Sequence, residues 1–598
     1  MTRNQLRETQ IITTYGPGSM VDLPDASIMI AGLDQWEYEA DNIPVLEEPR
    51  LTEKLRRLLD VPSLSLRKPP PSKGDPFGFH PIITGYRFPE WFIVQHAEEG
   101  PQHFRRRKLV HLTSLTNNKF RDEDNQNRSV VPVRFVRACR RGHIGDIDWK
   151  AFVHGAQTGC PRQLWIEERG TTGDLDEIWI TCDCGQSRVM SQAARIELRA
   201  LGSCNGSRPW LGPLTKEKCR EPSRLLIRSA SNAYFPQLMS VISIPDRRGP
   251  VDEVVTSLWT DFLFEVHSLE DLMREKRRQT VADRLAGFDD NDVLQAIQRR
   301  HTNQPQVDRP VKQVEFEALS EARDELGSDV PEGNFFARKL PESLWHCDMM
   351  QPVKRVVLVH RLREVIALAG FTRFEAAGAD FQGELSLAVE RAPIAIDANW
   401  LPAVENRGEG IFIQFEGNAI KNWLDRQEVA ARGVQLFTGF QKWQADHPNS
   451  AVQFPGLPYY LLHSLSHLLL TSISLECGYP ASALRERIFV GENQYGVLIH
   501  TGSSDAEGTL GGLVLAGRDI KRYFSRALEM GTLCSNDPVC ALHSPVDHDD
   551  EHLIGSACHG CLLISETSCE QSNNYLDRSL VVPTVETLGT NFFTINPL

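Results

Sequence analysis

Cys558-His559-Gly560-Cys561 has the spacing at which one tight turn aims two thiolates at a single tetrahedral ion. Cys540 before it and Cys569 after it could complete a set of four, with Cys534 a fifth candidate. Four sulfurs leave no open coordination position, so a metal held this way builds structure and performs no chemistry. Upstream stand Cys139, Cys160, Cys182, Cys184, Cys204 and Cys219, with His143 closing the turn Cys139-Arg140-Arg141-Gly142-His143. Cys182-Asp183-Cys184-Gly185 has the form of a zinc knuckle with a one-residue gap, and Cys204 and Cys219, fifteen apart, could supply its other half. Cys139, His143 and Cys160 would then make a partial second site or pack in the core. The alternative joins Cys139 and Cys160 to Cys182 and Cys184. Only Cys347 and Cys477 of the 13 cysteines fall outside these two groups. Such clustering in a chain without disulfide-scaffold composition points to Zn2+, at one or two structural sites.

Other chemistry is thinner. His463 and His467 are four apart in a helix-like run, so both project from one face. Their spacing is that of HExxH, yet Ser464 stands where a metalloprotease has its Glu. With Asp505 or Glu507 as a possible third ligand they form a candidate cryptic site, and the rival reading of the chain is a metal-dependent hydrolase or nuclease using His463, His467 and Asp505. The bland reading is a hydrogen-bonded pair in a buried helix. No GxxxxGK followed by Ser or Thr occurs; Gly508-Thr509-Leu510-Gly511-Gly512 lacks the Lys and Ser/Thr that grip phosphate and magnesium. No ATPase activity is expected, and no catalytic residue is assigned.

The elements that must position these groups read as mixed α/β. Residues 1–130 form an N-terminal mixed region with strand-like runs such as Trp91 to His96. Residues 131–245 form the first cysteine region, and 246–345 a helical region and linker with apolar residues three and four apart between charges. Residues 346–598 make a C-terminal α/β domain with the second cysteine group. Within it Val353 to Phe371 reads as a strand leading into a helix. Phe454 to Leu475 carries no Asp, Glu, Lys or Arg and is long enough to span a bilayer, but its two prolines, two histidines and four serines make it a buried helix, with no membrane partner expected.

With 598 residues, 41% apolar and 24% charged, the chain has room for three or four domains and is neither disordered nor a disulfide scaffold. The net charge of -14 excludes a general polycation. Residues 101–250, however, hold 25 Lys or Arg against 15 Asp or Glu. Arg105, Arg106, Arg107, Lys108, Arg137, Arg140 and Arg141 could track a phosphate backbone, in a salt-sensitive contact that does not read bases. The polar opening MTRNQLRETQ has no apolar run behind a basic cap, so a cytoplasmic location is expected.

Together these motifs resemble a known family. QIITTYGPGSMVDL stands near the start; RACRRGHIGDIDW, CDCG, SCNGSRPWLG and SASNAYFP surround the first cysteine group; YYLLHSLSHLL, SDAEGTLGGLV, CSNDPVC and ACHGCLLISETSCEQSNNYLDRSL lie near the end. They resemble the DrmB family of the bacterial DISARM anti-phage system. The closing part resembles a cysteine-bearing domain found at the ends of certain DEAD-like helicases. The resemblance covers most of the chain and is weakest between about 246 and 345. It implies a mixed α/β multidomain fold with zinc-stabilised loops, a helicase-like ATPase partner (DrmA) and DNA binding by the complex. It also implies zinc ligation by Cys540, Cys558, Cys561 and Cys569, and an accessory role with the ATPase motifs in the partner.

Overall fold

The computed structural model describes residues 6–594 apart from 24–25, 39–42, 71–82, 101–103, 246–247, 302–308, 323–324, 328, 330–332, 376–379, 386–389, 448–449, 451, 503–510, 548–550 and 586–588. The chain is a mixed α/β protein of two compact units. The first comprises Met1–Val241, Glu364–Asn406 and Gln444–Gln453; the second comprises Ile242–Arg363, Arg407–Trp443 and Phe454–Leu598. Both are discontinuous, so each draws on several of the four stretches distinguished in the sequence.

In the first unit, strands β1 (Trp91–Glu99), β2 (Arg105–His111), β3 (Leu115–Thr116), β4 (Lys119–Arg121), β5 (Asn127–Pro132), β8 (Leu164–Glu168), β9 (Ile178–Cys182) and β10 (Ser187–Val189) form one antiparallel sheet, ordered β10-β9-β8-β2-β1-β5-β4-β3. The period-two alternation expected of a half-buried strand is plain in β9, where Ile178, Ile180 and Cys182 are buried and Trp179 and Thr181 are less so. That inner face packs on Trp149, Phe152 and Val153 of helix α1 (Trp149–His154). Asp148 starts α1 by accepting from Ala151 N–H, and Gly155 ends it in the left-handed region. A small sheet beside it orders β7 (Ile144–Gly145), β6 (Phe135–Ala138) and β11 (Arg224–Ile227). Met20–Leu23, Ala26–Ile30 and Gly85–Arg87 form a third sheet.

The second unit contains the helices expected between 246 and 345: α2 (Arg248–Leu258), α3 (Leu269–Glu275), α4 (Gln279–Arg284) and α5 (Asp290–His301) share a core that includes Val255, Leu272, Val281 and Ile297. A sheet whose strands lie wholly or in part in this unit orders β12 (Glu325–Gly327), β13 (Phe335–Lys339), β14 (Val353–Thr372), β15 (Trp400–Phe415), β17 (Gln494–Thr501) and β16 (Leu484–Gly491). Here the structure corrects the sequence: Val353 to Thr372 is a single strand, with no helix in its second half. From Leu362 to Leu368 every residue is buried, so both faces of the strand are covered. An apolar run without alternation reads as helix, yet five valines and an isoleucine favour strand.

Helices α6 (Val311–Ser320) and α7 (Gly417–Leu424) come before helix α8 (Leu457–Cys477), which begins with Pro458 in its first turn and ends at Gly478 in the left-handed region. It is buried through most of its length, including His463 and His467. Among the described residues no helix is long and apolar enough to cross a membrane. Helices α9 (Gly512–Arg518) and α10 (Ile520–Thr532) follow β17.

Candidate metal centres

Among the described residues, four groups of side chains each bring four donor atoms within 4.8 Å of one another. Sequence reasoning expected one or two. They are termed centres I and II in the first unit and III and IV in the second.

Centre I is Cys139, His143, Cys204 and Cys219. Cys139 leaves strand β6 and enters a tight turn, Cys139 N–H bonding to His143 C=O (3.0 Å) and Gly142 N–H to Cys139 C=O (3.0 Å). The turn lays His143 Nδ1 3.3 Å from Cys139 Sγ. The other imidazole nitrogen, Nε2, reaches Glu217 Oε1 at 2.7 Å, fixing the ring with Nδ1 free to ligate. Cys204 and Cys219 sit on opposite arms of a loop zipped by Cys204 N–H to Glu221 C=O (2.9 Å) and Glu217 N–H to Gly206 C=O (3.0 Å). A Cβ at Gly206 would fall 1.7 Å from the Glu217 carbonyl oxygen, and its φ of +68° is left-handed, so only glycine serves there. Gly206 N–H donates to Cys204 Sγ (3.3 Å). A hydrogen bond from the Cys139 thiol draws Cys204 down to about 4, so negative charge gathers at this sulfur.

Centre II is His154, Cys160, Cys182 and Cys184. Cys182 ends β9, and the turn into β10 (Gly185 N–H to Cys182 C=O, 2.8 Å) carries Cys184 back to the same point. Cys160 and Cys182 sulfurs stand 3.8 Å apart, and His154 Nε2 lies 3.2 Å from Cys184 Sγ. His154 closes the last turn of α1, its Nδ1 on Lys150 C=O at 2.8 Å. Burial raises the Cys182 thiol to about 12, whereas the backbone N–H of Gln186 lowers Cys184.

Centre III is Cys534, Cys540, Cys558 and Cys561. Its sulfurs stand 3.3 Å (Cys534–Cys558), 3.7 Å (Cys540–Cys561) and 3.8 Å (Cys558–Cys561) apart. Zn–S bonds of about 2.3 Å in a tetrahedron put sulfurs about 3.8 Å apart, so the cage fits zinc. The Cys558-to-Cys561 turn packs so closely on Ser535 that a Cβ at Gly560 would lie 2.6 Å from its Oγ. Cys540 is drawn down to about 6 by the Cys561 thiol, aided by the charge of Arg578.

Centre IV is His463, His467, Glu486 and Cys569, all buried. His463 Nε2 lies 3.1 Å from Cys569 Sγ and 2.8 Å from Glu486 Oε1; His467 Nε2 lies 3.3 Å from the same oxygen.

The grouping corrects the expected sets. Cys534 belongs with Cys540, Cys558 and Cys561, and Cys569 lies with the histidine pair. The reason is local: Asn573 bonds both the N–H and the C=O of Ile564 (3.0 and 2.9 Å), and Glu486 N–H bonds Ser568 C=O (3.2 Å). The loop thus turns away from the Cys558 knuckle and delivers Cys569 to strand β16. In the first group neither expected pairing occurs: Cys139 goes with Cys204 and Cys219, and Cys160 with Cys182 and Cys184. His154 and Glu486 were missed. His154 lies six residues before Cys160, a spacing that could have flagged it, but Glu486 in LRERIFVG reads as one solvent-facing charge among several. Asp505 and Glu507 lie outside the described residues, as does most of the Gly508–Gly512 turn.

The cations expected to meet phosphates have partners within their own unit. On β2, Arg106 covers the Trp165 ring (3.9 Å to its centroid) and reaches Asp183 (3.4 Å). Arg107 bonds Glu168 at 2.6 Å, and Lys108 stands 3.6 Å from Glu98 and 3.4 Å from Glu123. Arg140 pairs with Glu375 (2.7 Å), and Arg141 with Glu390 (2.6 Å) and Glu217 (3.3 Å). Arg137 Nη1 donates to Leu201 C=O (3.5 Å), and Arg105 is exposed.

Two family models match. Residues 7–235, which contain centres I and II, match a domain of unknown function, DUF8724. Residues 465–562, which contain the four cysteines of centre III, match the MrfA Zn-binding domain. The chain is also 32% identical over 480 residues, 78% of its length and 83% of the relative's, to the DISARM protein DrmB of Bacillus paralicheniformis.

Proposed function

The chain belongs to the DrmB family of DISARM proteins, and from that premise we propose that it is a zinc-stapled accessory subunit docking on a helicase-like ATPase, DrmA, and helping that partner hold DNA in the bacterial cytoplasm. Family membership and the zinc-binding domain match make it a zinc-binding defence component. The observation that carries the accessory reading is that each candidate centre among the described residues already offers four protein donors. An ion held by four side chains has no position left for water or substrate, so it contributes folding free energy and shapes loops. The chain then works through surface, with residues 346–598 carrying an α/β fold of the kind that closes DEAD-like helicases and residues 131–245 carrying a zinc-binding region.

DNA contact is assigned to the basic stretch containing Arg105, Arg106, Arg107, Lys108, Arg137, Arg140 and Arg141. Because most of these cations are paired with carboxylates, phosphates would compete for them, and the contact would be backbone-directed and salt-sensitive. The hydrolase reading of His463 and His467 has their burial against it: both imidazoles and Glu486 are fully enclosed. The test is DNA binding by the partner ATPase alone and with this chain, across a salt series. A stable complex with tighter binding and a steeper salt slope, about 0.9 per added phosphate contact, supports the assignment. Co-elution with unchanged DNA binding would leave a scaffold that never touches DNA, and failure to co-elute would overturn the accessory reading.

A further inference from the structure

We propose that His463, His467, Glu486 and Cys569 hold one zinc ion in a closed, mixed-donor centre that fastens helix α8 to strand β16 and to the loop after the Cys558 knuckle. The zinc-domain match spans residues 465–562 and leaves out His463 and Cys569, so it does not contain this centre whole. The proposal extends the zinc-binding reading above.

The argument begins with the imidazoles. His463 Nδ1 lies 3.2 Å from Tyr575 C=O and His467 Nδ1 2.8 Å from Leu562 C=O. A carbonyl only accepts, so both Nδ1 atoms carry protons and both Nε2 atoms face the centre. This backbone-to-imidazole arrangement orients ligating histidines. Glu486 is likewise aimed: Ser466 O–H donates to Oε2, turning Oε1 inward. Cys569 Sγ accepts from Asn573 N–H (3.2 Å) and Gln571 N–H (3.4 Å), contacts that favour a thiolate.

Without an ion these groups are poorly served. Oε1 of Glu486 would meet His463 Nε2, His467 Nε2 and Glu570 N–H (3.2 Å) together, while the single proton of His463 Nε2 would be shared between that oxygen and Cys569 Sγ. Both imidazoles would have to be charged, in a site sealed from water. One divalent cation replaces this crowding: two neutral imidazoles, one carboxylate and one thiolate balance its charge. The donor set is of a kind zinc accepts. His463 and Cys569 are 106 residues apart, so the ion closes a long loop.

The experiment is zinc counting by native mass spectrometry on the full chain, wild type and Glu486→Gln. The substituted amide keeps the shape and hydrogen bonding of the carboxylate but is a weaker ligand. Four zincs in the wild type and three in the variant are expected; three in both, or four in both, would overturn the proposal. If Glu486→Gln does not fold, the zinc K-edge absorption spectrum of the wild type decides. With centre IV filled, 11 of 16 ligands are sulfur; with it empty, 10 of 12 are. The higher sulfur share would overturn the proposal. Three zincs would sink this inference alone, whereas a metal-free chain would sink the zinc-binding reading with it.

Discussion

Glu217 is not itself one of the four donors of centre I, yet it should govern zinc affinity there. Its Oε1 receives Nε2–H of His143 at 2.7 Å, and His143 is only 1% exposed. Glu217→Ala removes the acceptor; the ring is then free to rotate or change tautomer, which withdraws Nδ1 from the centre. Outer partners of ligating histidines are worth about 10- to 100-fold in metal affinity. At about 1.4 kcal/mol per decade that is about 1.4 to 2.8 kcal/mol. Glu217 is 31% exposed and also meets Arg141 and Arg208, each at 3.3 Å, so the lower half of the range is the expected one. Arg141→Gln is the control, since it removes a charge beside Glu217 and leaves the acceptor in place. The assay is zinc competition against a chromophoric chelator, following the four centres as separate steps. One zinc weakened by about tenfold in Glu217→Ala, with Arg141→Gln near wild type, is the prediction. Equal affinity in Glu217→Ala, or a comparable loss in Arg141→Gln, would refute the reasoning.

Other substitutions probe different parts. Cys534→Ala/Cys569→Ala should lose two zincs by elemental analysis, because the two residues serve separate centres; a loss of one would restore the four-cysteine set expected from spacing. Arg373, 1% exposed, donates to the carbonyls of Gly142 (3.0 Å), Gly18 (2.7 Å) and Ala233. Arg373→Met leaves three buried acceptors unpaired and should cost about 3 kcal/mol or more in denaturant unfolding, with zinc at centre I loosened because Gly142 is in its turn. Asp146 is raised to about 6 by burial, its Oδ2 accepting only from Glu90 N–H at 3.1 Å. A carboxyl raised on folding favours the folded state while protonated, and the advantage disappears as pH rises from about 4 through about 6. Asp146→Asn should therefore match wild type near pH 4 and exceed it by about 1 to 3 kcal/mol at pH 7. An effect of opposite sign in a pH series of unfolding midpoints would contradict the burial argument.

The sequence was informative about which cysteines cluster and much less so about how they combine. Cysteine clustering is a matter of composition and survives any folding. Pairing depends on the sheets. Centre II is nested within the chain span of centre I: Cys139 and His143 come before His154, and Cys204 and Cys219 after Cys184. The β9–β10 turn and helix α1 bring His154 to Cys184 across 30 residues, so the two short spacings at either end do not by themselves say that they belong to one centre. Glu486 was hidden for a related reason. It lies on a strand whose charges alternate, and its burial comes from α8 packing across it. The histidine pair was visible as a helical i,i+4 spacing, but its partners are 19 and 106 residues away. Helices between 248 and 301 were legible because their periodicity is local; Val353–Thr372 was not, because burial on both faces erases alternation.

The central claim, that metal ions hold this fold together, is tested most directly by titrating the intact chain with a chelator while following zinc release and tertiary structure (near-ultraviolet circular dichroism) in the same samples. The account predicts that zinc leaves in step with the loss of tertiary signal and that both return on adding zinc. A chain that gives up its zinc with the tertiary signal unchanged, or that holds no zinc while folded, would contradict it.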